Sequence, residues 1–285
     1  MGIVLGDNQY GKAETRLVRV TRDALRHELR DLTVTTTLAG DLDGTHLTGD
    51  NTNVLPTDSQ KNTVYAFARR HGVGEPEDFG LLLARHFATA QPAITRARVS
   101  IVEHGWLRLA DHSFQRTGGQ ARIATVSCDG EHAWVVSGLT GLVLLKTTDS
   151  EFWGYPKDDF TTLTETKDRV LATEVNARWR HGSAHGDWAS SHDAVRAALV
   201  DAFVGTHSRS LQQTLYAMGC AVLERCPEVA EIRLSLPNKH HLLVDLAPFG
   251  LDNPNQVYVA TDRPYGLIEG TVARDDAPPA GLAWW

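Results

Sequence analysis

The sequence predicts an α+β protein in which antiparallel sheets carry helices on one face. Three observations predict it. Strand-like runs come in pairs. Each set of pairs encloses two stretches with apolar residues at helical spacing. The order strand, strand, helix, helix, strand, strand then occurs twice along the 285 residues.

The elements follow in order. Residues 13–21 alternate, with Leu17 on one face and Val18 and Val20 on the other, and residues 32–38 (LTVTTTL) are rich in β-branched side chains. Residues 39–53, rich in Gly, Asp, Thr and Asn, predict a loop. Residues 61–70 bring Val64, Phe67 and Ala68 to one helical face, and residues 77–90 do the same with Phe79, Leu82, Leu83, His86 and Phe87. Strand character returns at 96–109, 121–128, 131–137 and 142–146.

The second half opens with a strand over 169–180. A helix over 193–204 carries Val195, Leu199 and Phe203. A second, over 208–226, sets Leu211, Leu215, Met218 and Val222 in one stripe. Strands are expected at 231–236, 242–246, 257–260 and 266–272. Gly138 and Gly141 punctuate the joint near residues 137–142, which divides the chain into units 8–139 and 140–273 with an extended Pro-rich tail, 274–285. Trp284 and Trp285 are a large apolar group to leave in water, so the tail is expected to dock on a surface or interface. Open sheet edges predict association with another copy.

Composition narrows the function classes. The 28 Lys and Arg against 35 Asp and Glu leave a net charge of −7, which argues against a nucleic-acid partner. Apolar residues at 42% and charged residues at 22% are ordinary globular usage. No apolar run approaches the length of a membrane span, and the opening residues lack a basic segment followed by an apolar core, so a cytoplasmic protein with no membrane partner is expected. Cys128, Cys220 and Cys226 are odd in number and lack Cys-x-x-Cys spacing, which predicts reduced structural thiols and neither a zinc site nor a disulfide framework. The chain has no phosphate-binding Gly-rich loop, no Gly-x-Gly-x-x-Gly in strand-to-helix context, no Gly-x-Ser-x-Gly elbow and no His-Glu-x-x-His. His240 and His241 suggest a metal pair at first sight, but on a strand adjacent side chains face opposite sides, so one buried and one exposed histidine is expected instead.

Six stretches carry more polar specificity than a fold requires. They are Tyr10-Gly11-Lys12; the stretch LPTDSQKNT at 55–63; SEFWG at 150–154; Thr161-Thr162-Leu163 with Asp168-Arg169; LQQT at 211–214; and SLPNKHH at 235–241. In this order and spacing they resemble urate oxidase (uricase) from about residue 10 to about residue 272. The resemblance implies two tandem tunnelling-fold (T-fold) domains, ββααββ each. Four chains would assemble into a barrel-like tunnel with active sites between chains. It implies oxidation of urate by O2 and water to 5-hydroxyisourate and hydrogen peroxide, with no metal and no organic cofactor.

The resemblance also assigns residues. Lys12, Thr57 and His240 match a proton relay. Arg169 and Gln212 match a pair that grips the planar purine edge, for which a guanidinium fork and an amide are suited. Phe152 matches an aromatic on which the purine stacks. Leu163 matches an apolar contact at the pocket edge, and the backbones of Asp58 and Leu211 match further ligand contacts. Asn238, with Thr57, matches the group that holds O2 or water above the ring. Pro56 stands where the family usually has Ala.

Taken alone, each residue has an ordinary structural explanation. Lys12 is a strand-end lysine, Thr57 or Asp58 a helix N-cap, His240 a strand histidine bonded to backbone and Asn238 a turn residue after Pro237. Arg169 and Gln212 are surface polar groups, and Phe152 and Leu163 are core. Two other functions stay open at this point: another T-fold enzyme acting on a flat heterocycle such as a pterin, and a purine-binding or scaffolding protein without activity.

Overall fold

In a computed structural model of the chain, residues 2–22 and 24–285 are described. Met1, the first residue of the stretch read for a leader, lies outside them. The two opening strand-like runs form the antiparallel pair β1 (Tyr10–Thr21) and β2 (Glu28–Gly40). A one-turn helix, α1 (Asp43–Leu47), precedes α2 (Thr57–His71) and α3 (Pro76–Ala90). The chain returns through β3 (Ile94–Glu103) and β6 (Ala121–Cys128), with a separate hairpin of β4 (Trp106–Ala110) and β5 (Ser113–Arg116) between them. The second half repeats the order in β7 (Ala133–Lys146), β8 (Leu171–His181), α4 (Trp188–Gly205), α5 (Leu211–Arg225), β9 (Val229–Leu243) and β10 (Tyr258–Ala273).

The main sheet has eight strands in the order β1-β2-β3-β6-β7-β8-β9-β10, and every pairing is antiparallel. Its buried face is read directly from register. Val34, Ile101, Ala124, Ser137, Trp179, Ile232 and Val272 sit opposite one another on successive strands, and all are buried. The helices cover this one face, as the period-2 and period-3.6 apolar patterns predict.

Two apolar cores lie beneath them. Leu32, Val64, Phe79 and Phe87 belong to the first, under α2 and α3; Trp179, Leu199, Phe203 and Met218 belong to the second, under α4 and α5. Each such fully buried side chain stabilises the fold by about 2–3 kcal/mol. Between the cores runs a polar seam. Glu77 of α3 is fully buried, accepts from Ser137 (2.6 Å) and pairs with Arg122 (2.7 Å), while Ser137 also bonds His181 Nε2 at 2.9 Å. Burial pushes the Glu77 carboxyl up despite Arg122, and it pushes His181 down to about 4.

Several boundaries differ from the sequence reading. The loop over 39–53 contains α1, and the strand expected at 96–109 is broken at His104-Gly105, beyond which the chain forms the β4–β5 hairpin. The runs at 131–137 and 142–146 are one strand, β7. Gly138 is inside it, where a side chain would press on Ile123, and Gly141 has φ of 73° at a register shift between Leu139 and Leu142. The glycines read as punctuation therefore mark a bulge. The last four expected strands are likewise two long ones.

The tail turns rather than running fully extended, and it docks as expected. It crosses the sheet face opposite the helices, where Arg96 and Arg98 lie over Trp285 at 5.2 and 5.1 Å and Arg233 lies over Trp284 at 3.7 Å. Among the described residues, no helix is long and apolar enough to cross a membrane.

Candidate functional site

The expected site residues fall into two groups. The first gathers where β1 begins and α2 begins. Lys12 stands opposite Thr36 at the start of a β-bulge. Gly11 lies against the backbone of Thr36, and a Cβ there would overlap its carbonyl, so a glycine lets β1 approach β2 beside Lys12. Tyr10 Oη donates to the Leu55 carbonyl at 3.0 Å. Fully buried Gln60 donates to the same carbonyl (3.3 Å) and accepts from Thr36 Oγ1 (2.8 Å), so the segment before α2 is fixed to both strands.

The start of α2 is unusual in one respect. Pro56, not Thr57 or Asp58, occupies the N-cap, and no side chain caps the helix. The N-cap explanation of Thr57 and Asp58 is therefore overturned. Thr57 is half-buried, and its hydroxyl has no hydrogen-bond partner among the described residues. The Asp58 carboxylate turns along the helix to accept from Lys61 (2.5 Å) and Asn62 (2.9 Å). The Lys61 hydrogen bond is the main reason it is held below the usual carboxylate range, with Lys12 adding a weaker pull. The first N–H groups of α2 are left without a side-chain cap, an arrangement that can accept an anionic or carbonyl-bearing group.

The second group gathers where β7 ends, β8 and α5 begin and β9 nears its end. Phe152 exchanges two backbone hydrogen bonds with Thr166, at 2.8 and 3.0 Å. Arg169, just before β8, donates from its backbone to the Ser150 carbonyl (2.9 Å) and from Nε to Ser150 Oγ (3.3 Å). Its guanidinium carbon lies 5.2 Å from the centre of the Phe152 ring. Burial pushes the guanidinium below the usual arginine value. Ser150 is itself bridged to Ser208, whose hydroxyl accepts from Thr214 of α5 at 2.8 Å; all three are fully buried.

Helix α5 opens with Ser210 capping the Gln213 amide at 3.1 Å. Leu211 is buried; Gln212 is exposed and its side chain has no partner among the described residues. Asn238 lies within β9, opposite Thr173 of β8 and Gly266 of β10, so the turn explanation for it is overturned. His240, two residues on, faces Thr261 across β10, and its ring has no partner among the described residues. Leu163 is 59% exposed and Phe152 half-buried, so neither is core. No group of three or more His, Cys, Asp or Glu is placed to hold a metal ion among the described residues.

Within one chain the two groups do not meet. Lys12 is on edge strand β1 and His240 on β9, six strand spacings away, or about 29 Å along the sheet. They also lie at opposite ends. Following the register from β1 to β9, the start of β1 is level with the end of β6, the start of β7 and the end of β8, whereas His240 is level with the start of β8. The groups occupy diagonal corners of the sheet. Sequence reasoning did not single out Tyr10, Gln60, Ser208 or Thr214 as supports. The signal available for them was only that polar residues recur inside the six stretches or beside them.

The profile of the uricase family matches residues 8–127 and 135–269, which include both corners. The chain belongs to the uricase family. It is 52% identical to the uricase of Arthrobacter globiformis over 99% of this chain and 94% of that one, and 36% identical to the uricase of Dictyostelium discoideum over 94% and 96%. The crystal structure of the Arthrobacter uricase superposes with a TM-score of 0.96 at 50% identity, covering 100% of this chain and 99% of the other. The two matched stretches are separated by 128–134, which holds the turn between β6 and β7 with the last residue of β6 and the first two of β7.

Proposed function

We propose that this protein oxidises urate with O2 and water to 5-hydroxyisourate and hydrogen peroxide, without a metal or organic cofactor. The observation that carries the activity is family membership over nearly the whole chain. In this reading the free fork of Arg169 and the amide of Gln212 take the purine edge, and Phe152 takes its face. Lys12, Thr57 and His240 withdraw a proton from the bound urate anion. The electron-rich ring then gives one electron to O2, and the two radicals join through a new C–O bond to a peroxide that takes back the withdrawn proton. That C–O bond then breaks, and the leaving peroxide takes a second proton to become hydrogen peroxide. Water adds at the vacated carbon. Asn238 and Thr57 hold O2 and then water over the ring, a matter of positioning more than of charge.

We infer further that the site is assembled between copies in a homotetramer. The diagonal placement of the two corners supports this, because a two-fold axis brings the Lys12 corner of one copy to the His240 corner of another and does so twice. Edge strands β1 and β10 offer the unpaired backbone for such a joint. Two units close to 8–139 and 140–273, with a tail at 274–285, are supported by the two cores. The change falls within β7, where Val135 belongs to the first core and Leu139 already to the second, and Trp188 crosses back to the first. A cytoplasmic setting fits three cysteines that are all free.

The test is direct. Protein dialysed against a chelator is mixed with urate, and ultraviolet absorbance, O2 uptake and peroxide are followed. Equal molar loss of urate and O2 with matching peroxide is expected. Turnover that requires added metal or flavin rejects the cofactor-free reading.

A further inference from the structure

We propose that Tyr155 is a positioning residue that fixes the stacking platform for urate. Its ring lies against that of Phe152, with centroids 4.9 Å apart and planes 19° from parallel. Its hydroxyl donates to the Leu163 carbonyl at 2.7 Å. One side chain thus joins two segments that are expected to touch the ligand, by its face to the aromatic platform and by its tip to the pocket edge.

The arrangement has a geometric consequence. An aromatic ring has two faces, and Tyr155 covers one of those of Phe152. The purine stacks on the other, so three flat groups lie in series: Tyr155, Phe152 and urate. Phe152 alone is poorly braced. It is half-buried, and its backbone is tied to Thr166 by only two hydrogen bonds. The segment between Phe152 and Thr166 is otherwise exposed, apart from Tyr155, Thr161 and the bridge itself. A side chain stacked behind the ring and anchored to Leu163 removes rotation of the platform before the ligand arrives, which lowers the ordering cost of binding.

The effect is expected on binding and not on proton or electron transfer, because among the described residues of one chain Tyr155 meets Phe152, Leu163 and Lys157 and none of Lys12, Thr57, His240 or Asn238. It therefore shows in KM with kcat preserved. The proposal rests on the urate-oxidising reading above, and the experiment separates the two.

Urate affinity is measured anaerobically, where it binds without turnover, and kcat and KM are measured in air. Tyr155→Leu is expected to raise the anaerobic Kd and KM about fivefold with kcat within about twofold. Tyr155→Phe keeps the ring and loses only the Leu163 anchor, and it is expected to fall between, at about twofold. Wild-type affinity in both variants overturns the proposal. So does tighter binding by Tyr155→Leu, which would mean that the tyrosine occupies the ligand's own face. If Tyr155→Leu does not assemble, Tyr155→Phe decides: wild-type Kd overturns, a raised Kd supports. Failure of the unmodified protein to bind or consume urate removes the functional reading itself, and this inference with it.

Discussion

Arg169 enters its corner with Nε already engaged by Ser150, so its two terminal nitrogens point as a preset fork. Lysine at this position keeps the charge and loses the fork. Arg169→Lys is expected to lower kcat/KM for urate about ten- to a hundredfold, seen in steady-state rates, because a planar two-bond contact is replaced by a point charge. Lys12 and Thr57 make a different claim. The double change Lys12→Met with Thr57→Ala should leave little turnover while circular dichroism and thermal melting stay close to those of the unmodified protein. Near-normal rates in that double variant would reject the relay. At this scale the sequence was most informative where residue types were chemically odd for a surface, as in the Pro-Thr-Asp and Pro-Asn-Lys-His stretches. It was silent on fully buried Glu77 and half-buried Arg122, because nothing in a polar residue's identity says that it will be walled in by two helices and a sheet.

Helices α2 and α5 both deliver an expected ligand contact from their first turn, yet they begin differently. Helix α2 has no side-chain cap, which leaves its N–H groups available; α5 has Ser210. Ser210→Ala is expected to cost about 1 kcal/mol in urea unfolding and to raise KM modestly through Gln212, whereas wild-type stability would show that the cap is idle. The helices were legible because their apolar stripes are long: Leu211, Leu215, Met218 and Val222 are all buried. Their first residues were less so, since Pro56 took the cap that Thr57 or Asp58 could have filled. Strand ends were misread for a related reason. Gly138, Gly141 and Pro237 usually interrupt strands; here close packing and a bulge absorb the glycines inside β7, and β9 runs on through Pro237, which keeps its place opposite Leu267 of β10.

The whole molecule carries a pH signature at its seam. Unfolded histidine takes up a proton near pH 6.5, but buried His181 and His192 do so only at about 4. Between those values the unfolded chain binds more protons, so stability falls as pH drops through that window. For His181 the full loss is about 3 kcal/mol. Glu77, with its carboxyl pushed up, works in the opposite sense and offsets part of it. Urea midpoints at pH 7.5, 6 and 5 should decline, and His181→Asn should flatten the decline; a flat profile in the unmodified protein contradicts the burial argument.

Assembly has its own test. Lys12→Met and Arg169→Ala chains, each inactive alone, should regain about a quarter of full activity when co-expressed in equal amounts, as random pairing of complementary corners requires. No recovery would reject a site shared between copies. The repeat and the one-sided layering were legible in the sequence. The diagonal was not, because it arises from how β7 aligns the two halves, and periodicity carries no record of relative placement.

That unbroken strand has one more effect. Hydrogen bonds run across eight strands without a gap, and β7 belongs to both cores, so the halves have no hinge about which to swing. A protein of this build is a fixed jaw: each corner keeps the shape the folded chain gives it, and a site shared between copies takes its final outline only when two such rigid pieces come together.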